Sequence, residues 1–170
     1  MYKALFLDRD GVINIEKEYL YKIEDFEFID GIIELVQYYQ KNGYKIFVVT
    51  NQSGIDRKYY TENDFSILTT WMIDEFSKYS IEITKVYHCP HHPSISGECT
   101  CRKPNPGMLL DASKEYEIDL SQSILIGDKE SDIEAGINAS LLHTYLFADL
   151  RQVESKATKV VSKLENIWKI

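Results

Sequence analysis

The chain contains three cysteines, and all of them lie in one short segment that also contains a histidine. The segment reads Cys89-x-His91-x7-Cys99-x-Cys101. Three thiolates and one imidazole are a closed set of four ligands, which is typical of a structural zinc site. Two other histidines, His88 and His92, flank His91 and are alternatives for the imidazole ligand. The segment therefore predicts a zinc-stapled loop and no activity of its own.

Acidic and polar residues follow three short apolar runs, at the point where each run ends. The three endings are Asp8-Arg9-Asp10-Gly11, Thr50-Asn51-Gln52-Ser53-Gly54 and Gly127-Asp128. The carboxyl ends of parallel strands form the ligand crevice of an open sheet. Three carboxylates in one crevice repel each other unless a cation joins them, and oxygen ligands suit Mg²⁺. A calcium-binding loop is excluded, because no Glu stands at its twelfth position and an apolar strand precedes it.

Short apolar runs alternate with helical patterns along the chain. Strands are expected at 4–7, 46–49, 85–87, 124–126 and 141–147, and helices at 32–42, 62–79, 106–117 and 131–138, with a last strand and helix in 159–170. Asp30 and Asn105 are expected helix caps, with Pro106 in a first turn. Thr61 and Asp64 resemble a capping box. The helix that follows spaces its apolar residues along one face: Phe65, Leu68, Met72, Phe76 and Tyr79.

This alternation predicts an α/β fold of three layers, with a central parallel sheet and helices on both faces. The 170 residues suit one domain, 1–170, with a sizeable core. Two segments without clear periodicity, about 11–29 and 89–104, are expected to be functional loops. No insertion is long enough to form a separate cap domain over the sheet.

Charge and hydropathy exclude several classes of partner. The net charge of −8 gives no general basic field, so we expect neither nucleic acid nor an anionic membrane as a partner. No apolar run reaches the roughly 18 residues that a membrane-spanning helix needs. Charged residues come too early for a signal peptide, and clustered cysteines are typical of metal ligands in a reducing compartment. We therefore expect a cytoplasmic protein, and a monomer.

Four segments resemble the ordered motifs of the haloacid dehalogenase superfamily of phosphohydrolases. They read LFLDRDGVIN, VVTNQSGI, CRKPNPGM and IGDKESDIEAG. Together with EFIDGII and YHCPHHP, they are similar to the family of D-glycero-D-manno-heptose-1,7-bisphosphate 7-phosphatases over roughly residues 4–138. The resemblance implies a Rossmann-like fold of that superfamily.

The resemblance also implies catalytic roles. Asp8 corresponds to the nucleophile that forms an aspartyl-phosphate, and Asp10 to the general acid and base. Asp8, Asp10 and Asp128 would hold Mg²⁺, with Asp10 contributing its backbone carbonyl. Thr50 would donate to the phosphoryl oxygens, and Lys103 would neutralise charge on the nucleophile and phosphate. The family spacing favours His91 as the imidazole ligand of the zinc, which would aim Arg102 and Lys103 inward.

Substrate contacts are expected from a flap, the loop of about residues 11–29 after the nucleophile, from the second motif and from basic residues. The set comprises Glu16, Lys17, Glu18, Tyr19, Thr50, Asn51, Gln52, Ser53, Arg57, Arg102, Lys103 and Lys129. Arg102 has a planar fork that suits a second phosphate or the transferred one, with a surface ion pair as the alternative. Arg57 is equally compatible with a solvated position. Lys129 is compatible with a structural role as well as with a contact to substrate or metal.

The function implied by the resemblance is the Mg²⁺-dependent removal of the 7-phosphate from a heptose 1,7-bisphosphate, within the synthesis of nucleotide-activated heptose for lipopolysaccharide or other surface polysaccharide. Histidinol phosphate or another small phosphate ester is the alternative substrate. A catalytically silent binding protein on the same fold is the third hypothesis, and the intact set of catalytic residues argues against it.

Overall fold

Across the residues that the computed structural model describes, 1–149 and 154–169, six strands form one parallel sheet. The strands are β1 (Lys3–Leu7), β2 (Tyr44–Asn51), β3 (Ile83–Cys89), β4 (Ile124–Gly127), β5 (His143–Phe147) and β6 (Lys159–Val161). Their order in the sheet is β3-β2-β1-β4-β5-β6. The chain reverses its direction of travel across the sheet after β3, so β1 and β4 flank the switch point where such folds bind ligands. The predicted parallel α/β fold is confirmed.

The helices are α1 (Ile32–Lys41), α2 (Glu62–Ser77), α3 (Pro93–Ser96), α4 (Gly107–Tyr116), α5 (Glu130–Asn138) and α6 (Glu165–Trp168). Single 3-10 turns lie at Ile23–Asp25 and Leu120–Gln122. The two expected loops, 11–29 and 89–104, therefore each contain one short helical turn. None of the helices in the described ranges is both long and apolar enough to cross a bilayer.

The sheet separates two apolar cores because the side chains of each strand alternate between its faces. In β1, Leu5 and Leu7 face one core, and Ala4 and Phe6 face the other. The first core contains apolar residues of α1, α2 and α6, such as Leu35, Met72 and Ile167. The second contains residues of α4 and α5, such as Leu109 and Ala135. Burial on both faces explains why the central strands are continuous apolar runs.

Three details of the helix predictions are wrong. α1 begins after Gly31, which has a left-handed backbone (φ 85°), and Asp30 makes no capping bond. α4 begins after Pro106 without a side-chain cap, because the Asn105 amide donates instead to the Cys99 carbonyl at 2.6 Å. Tyr79 lies beyond the end of α2 and is 51% exposed.

Other helix and strand predictions are confirmed. The capping box of α2 forms, with Thr61 and Asp64 each accepting a hydrogen bond from the other's backbone. The face of α2 formed by Phe65, Leu68, Met72 and Phe76 is buried. β6 and α6 match the strand and helix expected in 159–170, except that Ile170 lies outside the described residues.

Burial in the first core predicts a difference between two leucines on helices. Leu68 in α2 is fully buried, whereas Leu110 in α4 is 48% exposed. Leu68→Ala should lower the free energy of unfolding by about 2–5 kcal/mol, because it removes buried methyl groups and leaves a cavity. Leu110→Ala should change it by less than about 0.5 kcal/mol. Urea unfolding followed by circular dichroism measures both, and equal effects would contradict the position of this core.

Candidate active site

The carboxyl ends of β1, β2 and β4 meet at one edge of the sheet because the three strands are in register. Leu7 of β1 pairs with Val48 of β2 on one side and with Ile126 of β4 on the other. Asp8 follows β1 directly, and its N–H donates to the Ile126 carbonyl at 3.0 Å. Asp128 follows β4. The register of the sheet therefore brings these two carboxylates together, as predicted.

Lys103 connects this edge of the sheet to the loop after β3. The residue is 4% exposed, and its ammonium donates to Asp8 Oδ1 at 2.9 Å and to the Val49 carbonyl at 2.7 Å. A third oxygen, Asp132 Oδ1, lies 2.6 Å away. Burial opposes the positive charge, but Asp132 and Asp8 raise the pKa of Lys103 above its ordinary value. The side chain is therefore a buried, fully charged ammonium beside the expected nucleophile.

Asp132 is a site residue that the sequence analysis missed. It lies in the first turn of α5 and is 2% exposed. Its Oδ2 accepts the backbone N–H groups of Asp128 and Lys129, both at 3.1 Å. The sequence pattern that could have revealed Asp132 is a pair of aspartates, Asp128 and Asp132, four residues apart and just after a buried strand. That pattern is also typical of acidic residues at a helix N-terminus, which need no role in chemistry.

Asp8, Asp128 and Asp132 place carboxylate oxygens within 4.8 Å of one another. Burial, and then the charge of Asp132, raise the pKa of Asp8 well above its ordinary value. The same two causes raise the pKa of Asp128 to about 6. Among the described residues, Asp128 Oδ1 is buried without a hydrogen-bond partner. Gly11 keeps the space beside Asp128 open, since a Cβ there would lie 2.2 Å from Oδ2. This donor set fits a divalent cation that prefers oxygen.

Asp10 is held apart from that group by its own hydrogen bonds. The chain turns out of β1 at Arg9, whose carbonyl accepts the N–H of Asn14. Asp10 Oδ1 accepts from Arg9 Nη2 at 3.1 Å and from Asn14 Nδ2 at 3.0 Å. Its Oδ2 accepts from Gln52 Nε2 at 3.0 Å. These hydrogen bonds fix the carboxylate, and the expected metal contact through the backbone carbonyl of Asp10 stays a prediction.

A cleft of about 330 Å³ opens above these residues. Its walls include ten of the predicted site residues: Asp8, Asp10, Glu16, Glu18, Tyr19, Asn51, Gln52, Ser53, Lys103 and Lys129. Three further residues in its walls were not predicted: Tyr60, Ser131 and Asp132. Lys129 lies 3.6 Å from Glu16 across the cleft. The flap and the end of β4 therefore face each other over the carboxylates.

Three of the predicted contact residues are engaged with other parts of the protein, and one of them, Asn51, also lines the cleft. Asn51 binds the backbone of Lys103 in both directions, at 3.1 and 3.0 Å. Lys17 donates to the Asp25 carbonyl within the flap. Thr50 is buried and accepts from Gln52. These bonds order the walls of the site, and the direct substrate contacts expected of these side chains stay predictions.

Arg57 and Arg102 lie at the zinc loop, the segment 89–104, and outside the walls of the 330 Å³ cleft. Arg57 Nη2 donates to His92 Nε2 at 2.8 Å. Arg102 Nη1 donates to the His91 carbonyl at 3.2 Å and lines a neighbouring cleft together with Lys103.

The ligand atoms of Cys89, His91, Cys99 and Cys101 all lie within 4.8 Å of one another. His91 Nδ1 is 3.6 Å from Cys89 Sγ and 3.4 Å from Cys101 Sγ. Tetrahedral ligands at the usual Zn–S distance are about 3.8 Å apart. Cys99 Sγ matches this spacing, at 3.6 and 3.5 Å from the other two sulfurs, which are 2.6 Å apart and would separate on metal binding. The cluster could hold one metal ion.

The two rival histidines have other partners. His88 Nε2 lies 2.7 Å from Glu62 Oε2, and its ring stacks on Phe65. His92 receives the hydrogen bond from Arg57 and caps α3 through Nδ1. The structure therefore groups His91, and neither neighbour, with the cysteines.

Known proteins are similar to this chain in sequence. Residues 2–140 match the family model of the haloacid dehalogenase-like hydrolases. A D-glycero-alpha-D-manno-heptose-1,7-bisphosphate 7-phosphatase from Campylobacter jejuni is 58% identical over 139 residues, which cover 82% of this chain and 78% of that protein. The corresponding phosphatase for the beta anomer from Haemophilus influenzae is 48% identical over 145 residues, 83% of this chain and 79% of that protein.

A solved structure has the same fold. The D,D-heptose 1,7-bisphosphate phosphatase from B. bronchiseptica, crystallised with magnesium and phosphate, superposes with a TM-score of 0.84. It is 24% identical, and the match covers 97% of this chain and 95% of that one. The family model spans most of the chain, and the curated relatives share about half of the aligned residues with it. The chain therefore belongs to the haloacid dehalogenase-like hydrolases.

Proposed function

We propose that this hydrolase removes the 7-phosphate from D-glycero-D-manno-heptose 1,7-bisphosphate in the synthesis of nucleotide-activated heptose for surface polysaccharide. The substrate follows from the names of the relatives at 48–58% identity. The observation that carries the chemistry is the pair of carboxylates on opposite sides of one turn. Asp8 is bound to Lys103, and Asp10 is turned toward Gln52.

In the first half-reaction, Asp8 attacks the phosphorus atom. A bond forms between an Asp8 carboxylate oxygen and phosphorus as the bond from phosphorus to the sugar oxygen breaks. Asp10 gives its proton to that sugar oxygen, which leaves as an alcohol. In the second half-reaction, Asp10 takes a proton from water, whose oxygen attacks the phosphorus and releases phosphate and Asp8.

Charge at the reacting centre is balanced by Lys103 and by a divalent cation. Lys103 is within hydrogen-bond distance of Asp8 and offsets negative charge as the phosphoryl group arrives. Asp8 and Asp128 would hold Mg²⁺ together with the backbone carbonyl of Asp10, and Asp132 lies beside them. When bound, the ion supplies Lewis-acid neutralisation between nucleophile and phosphate.

The cysteine cluster is proposed to be a structural zinc site. Four protein ligands leave no open position for water, so the zinc would not take part in hydrolysis. Its task is to fix 89–104, a loop with little apolar core, and to place Lys103 beside Asp8. Thiolate ligands suit a reducing compartment, which supports the cytoplasm as the proposed location.

The chain is proposed to act as one domain over residues 1–170 and as a monomer. The single-domain proposal is supported by the sheet, which contains both the first strand, β1, and the last strand, β6, of the described chain.

Asp8→Asn should reduce turnover of heptose 1,7-bisphosphate to background in the presence of Mg²⁺. The amide is nearly isosteric with the carboxylate but is a poor nucleophile. Phosphate release measures turnover, and Asp111→Asn, an exposed position on α4, is the matched control. Wild-type protein should prefer the heptose ester over histidinol phosphate. Activity of Asp8→Asn within tenfold of wild type, without deamidation, would rule out this nucleophile.

Cys99→Ser should lose the bound zinc and lower stability, because formation of the metal site is coupled to ordering of its loop. Elemental analysis should find one zinc per wild-type chain after dialysis against a weak chelator. Thr100→Ser, an exposed neighbour in the same loop, should keep the metal. A wild-type protein purified under reducing conditions without any metal would show that the cluster is not a zinc site.

Lys103→Ala and Arg102→Ala should affect different kinetic constants. Lys103 contacts the nucleophile, so its loss should lower kcat by about 10²-fold or more. Arg102 is proposed to bind phosphate in the ground state, so Arg102→Ala should mainly raise KM, and more for a bisphosphate than for a monophosphate. Lys114→Ala, exposed on α4, is the control. If both variants change stability alone, the basic pair has no catalytic role.

A further inference from the structure

The side chain of Gln52 connects two residues of the proposed mechanism. It is 3% exposed. Its Nε2 donates to Asp10 Oδ2 at 3.0 Å and to Thr50 Oγ1 at 2.8 Å, so both amide hydrogens are used. One amide group thus sets the position of a carboxylate and of a hydroxyl at the same time.

This function of Gln52 depends on the orientation of its amide. The nitrogen and oxygen ends have nearly the same shape, so rotation by 180° costs little in packing. The rotated amide would present its oxygen to the Asp10 carboxylate, where two acceptors repel each other. The Asp10 carboxylate therefore favours the orientation in which the amide nitrogen faces it, and a hydrogen-bond donor at the other end of the amide adds to this selection.

Tyr60 supplies the hydrogen-bond donor at the oxygen end of the Gln52 amide. Its hydroxyl donates a hydrogen bond to Gln52 Oε1. Burial raises the pKa of Tyr60 above its ordinary value, so the hydroxyl keeps its proton and remains a donor. A donor at this place stabilises the amide oxygen there and leaves the amide nitrogen facing Asp10.

Neighbouring residues pack closely around Tyr60, which is 5% exposed. Gly54 borders its edge, and a Cβ at Gly54 would lie 2.2 Å from Cε1 of the ring. Tyr21 of the flap stacks on the ring, with centroids 5.4 Å apart and planes at 14°. The glycine of the Thr-Asn-Gln-Ser-Gly motif thus has a steric reason, which is to admit the tyrosine behind Gln52.

We propose that Tyr60 is a positioning residue that acts through Gln52 on Asp10, the group that transfers the proton. The inference rests on the proposed function and adds a residue to it. Without the hydroxyl, Gln52 Oε1 loses its buried donor and the amide is held less firmly. Asp10 would then keep its hydrogen bonds at Oδ1, from Arg9 and Asn14, while the one at Oδ2 weakens.

Tyr60→Phe should lower kcat/KM in a way that depends on the leaving group. A sugar alkoxide needs a proton from Asp10 to leave, whereas the phenolate of p-nitrophenyl phosphate does not. General acid catalysis is worth about 10²–10⁴-fold, and partial misplacement should cost roughly 10- to 100-fold with heptose 1,7-bisphosphate. The loss with p-nitrophenyl phosphate should be at least about tenfold smaller. Equal losses, or no loss, with the two esters would overturn the proposal.

Two further variants separate positioning from a general disturbance of the fold. Tyr59→Phe removes the hydroxyl of the adjacent tyrosine, which is 54% exposed, and should leave both substrates unaffected. Gln52→Leu should reproduce the dependence on the leaving group, and adding Tyr60→Phe to it should have no further effect. Additive losses in the double variant would show that Tyr60 does not act through Gln52. If Tyr60→Phe does not fold, Gln52→Leu alone decides whether this amide positions Asp10.

The same assays distinguish failure of the proposed role of Tyr60 from failure of the proposed function on which it rests. Wild-type protein that cleaves neither ester, or Asp8→Asn that remains active, would overturn the proposed function. A wild-type enzyme that depends on Asp8, combined with Tyr60→Phe that shows no dependence on the leaving group, would overturn the role of Tyr60 alone.

Discussion

The buried ammonium of Lys103 is the group on which the rest of the site depends. Lys103 is 4% exposed, and a buried charge of this kind is stable only when it is paired. Removal of one partner from such a pair is strongly destabilising. Its three partners, Asp8, the Val49 carbonyl and Asp132, belong to the ends of β1 and β2 and to α5. Lys103 itself comes from the zinc loop. One side chain therefore joins the sheet edge, the first turn of α5 and the zinc loop, and its structural role and its proposed catalytic role rest on the same contacts.

The balance of charge around Lys103 explains why an acidic protein can act on an anionic substrate. Three carboxylates surround one ammonium, which leaves two negative charges that a divalent cation would neutralise. A phosphate ester then meets a nearly neutral centre in place of a repulsive one, despite the net charge of −8. Electrostatic attraction has to be local, because distant surface charges are screened by salt over about 8–10 Å. A divalent cation held by these carboxylates would therefore contribute to binding of the substrate as well as to the chemistry.

Much of this could be predicted from the sequence, because the central strands and their endings are local patterns. Buried apolar runs followed by Asp8, Thr50 and Asp128 were sufficient to place three residues at one sheet edge. Two of the errors arose where a contact outside the local sequence pattern decides the outcome. Asn105 is a good helix cap by type, but the Cys99 carbonyl engages its amide. Asp132 resembles an ordinary first-turn acid, and only the folded chain brings Lys103 to it.

The segment 52–60 contacts both loops that border the active site, the zinc loop and the flap. Asp56 accepts hydrogen bonds from the backbone N–H of His92 and from the Ser96 hydroxyl, which attaches the zinc loop. Edge-to-face packing of Tyr19 on Tyr59, and stacking of Tyr21 on Tyr60, attach the flap. The segment 52–60 also contains Gln52, which binds Asp10. A disturbance of either loop would therefore reach the Asp10 carboxylate through the same segment, and this couples the order of the flap to that of the zinc loop.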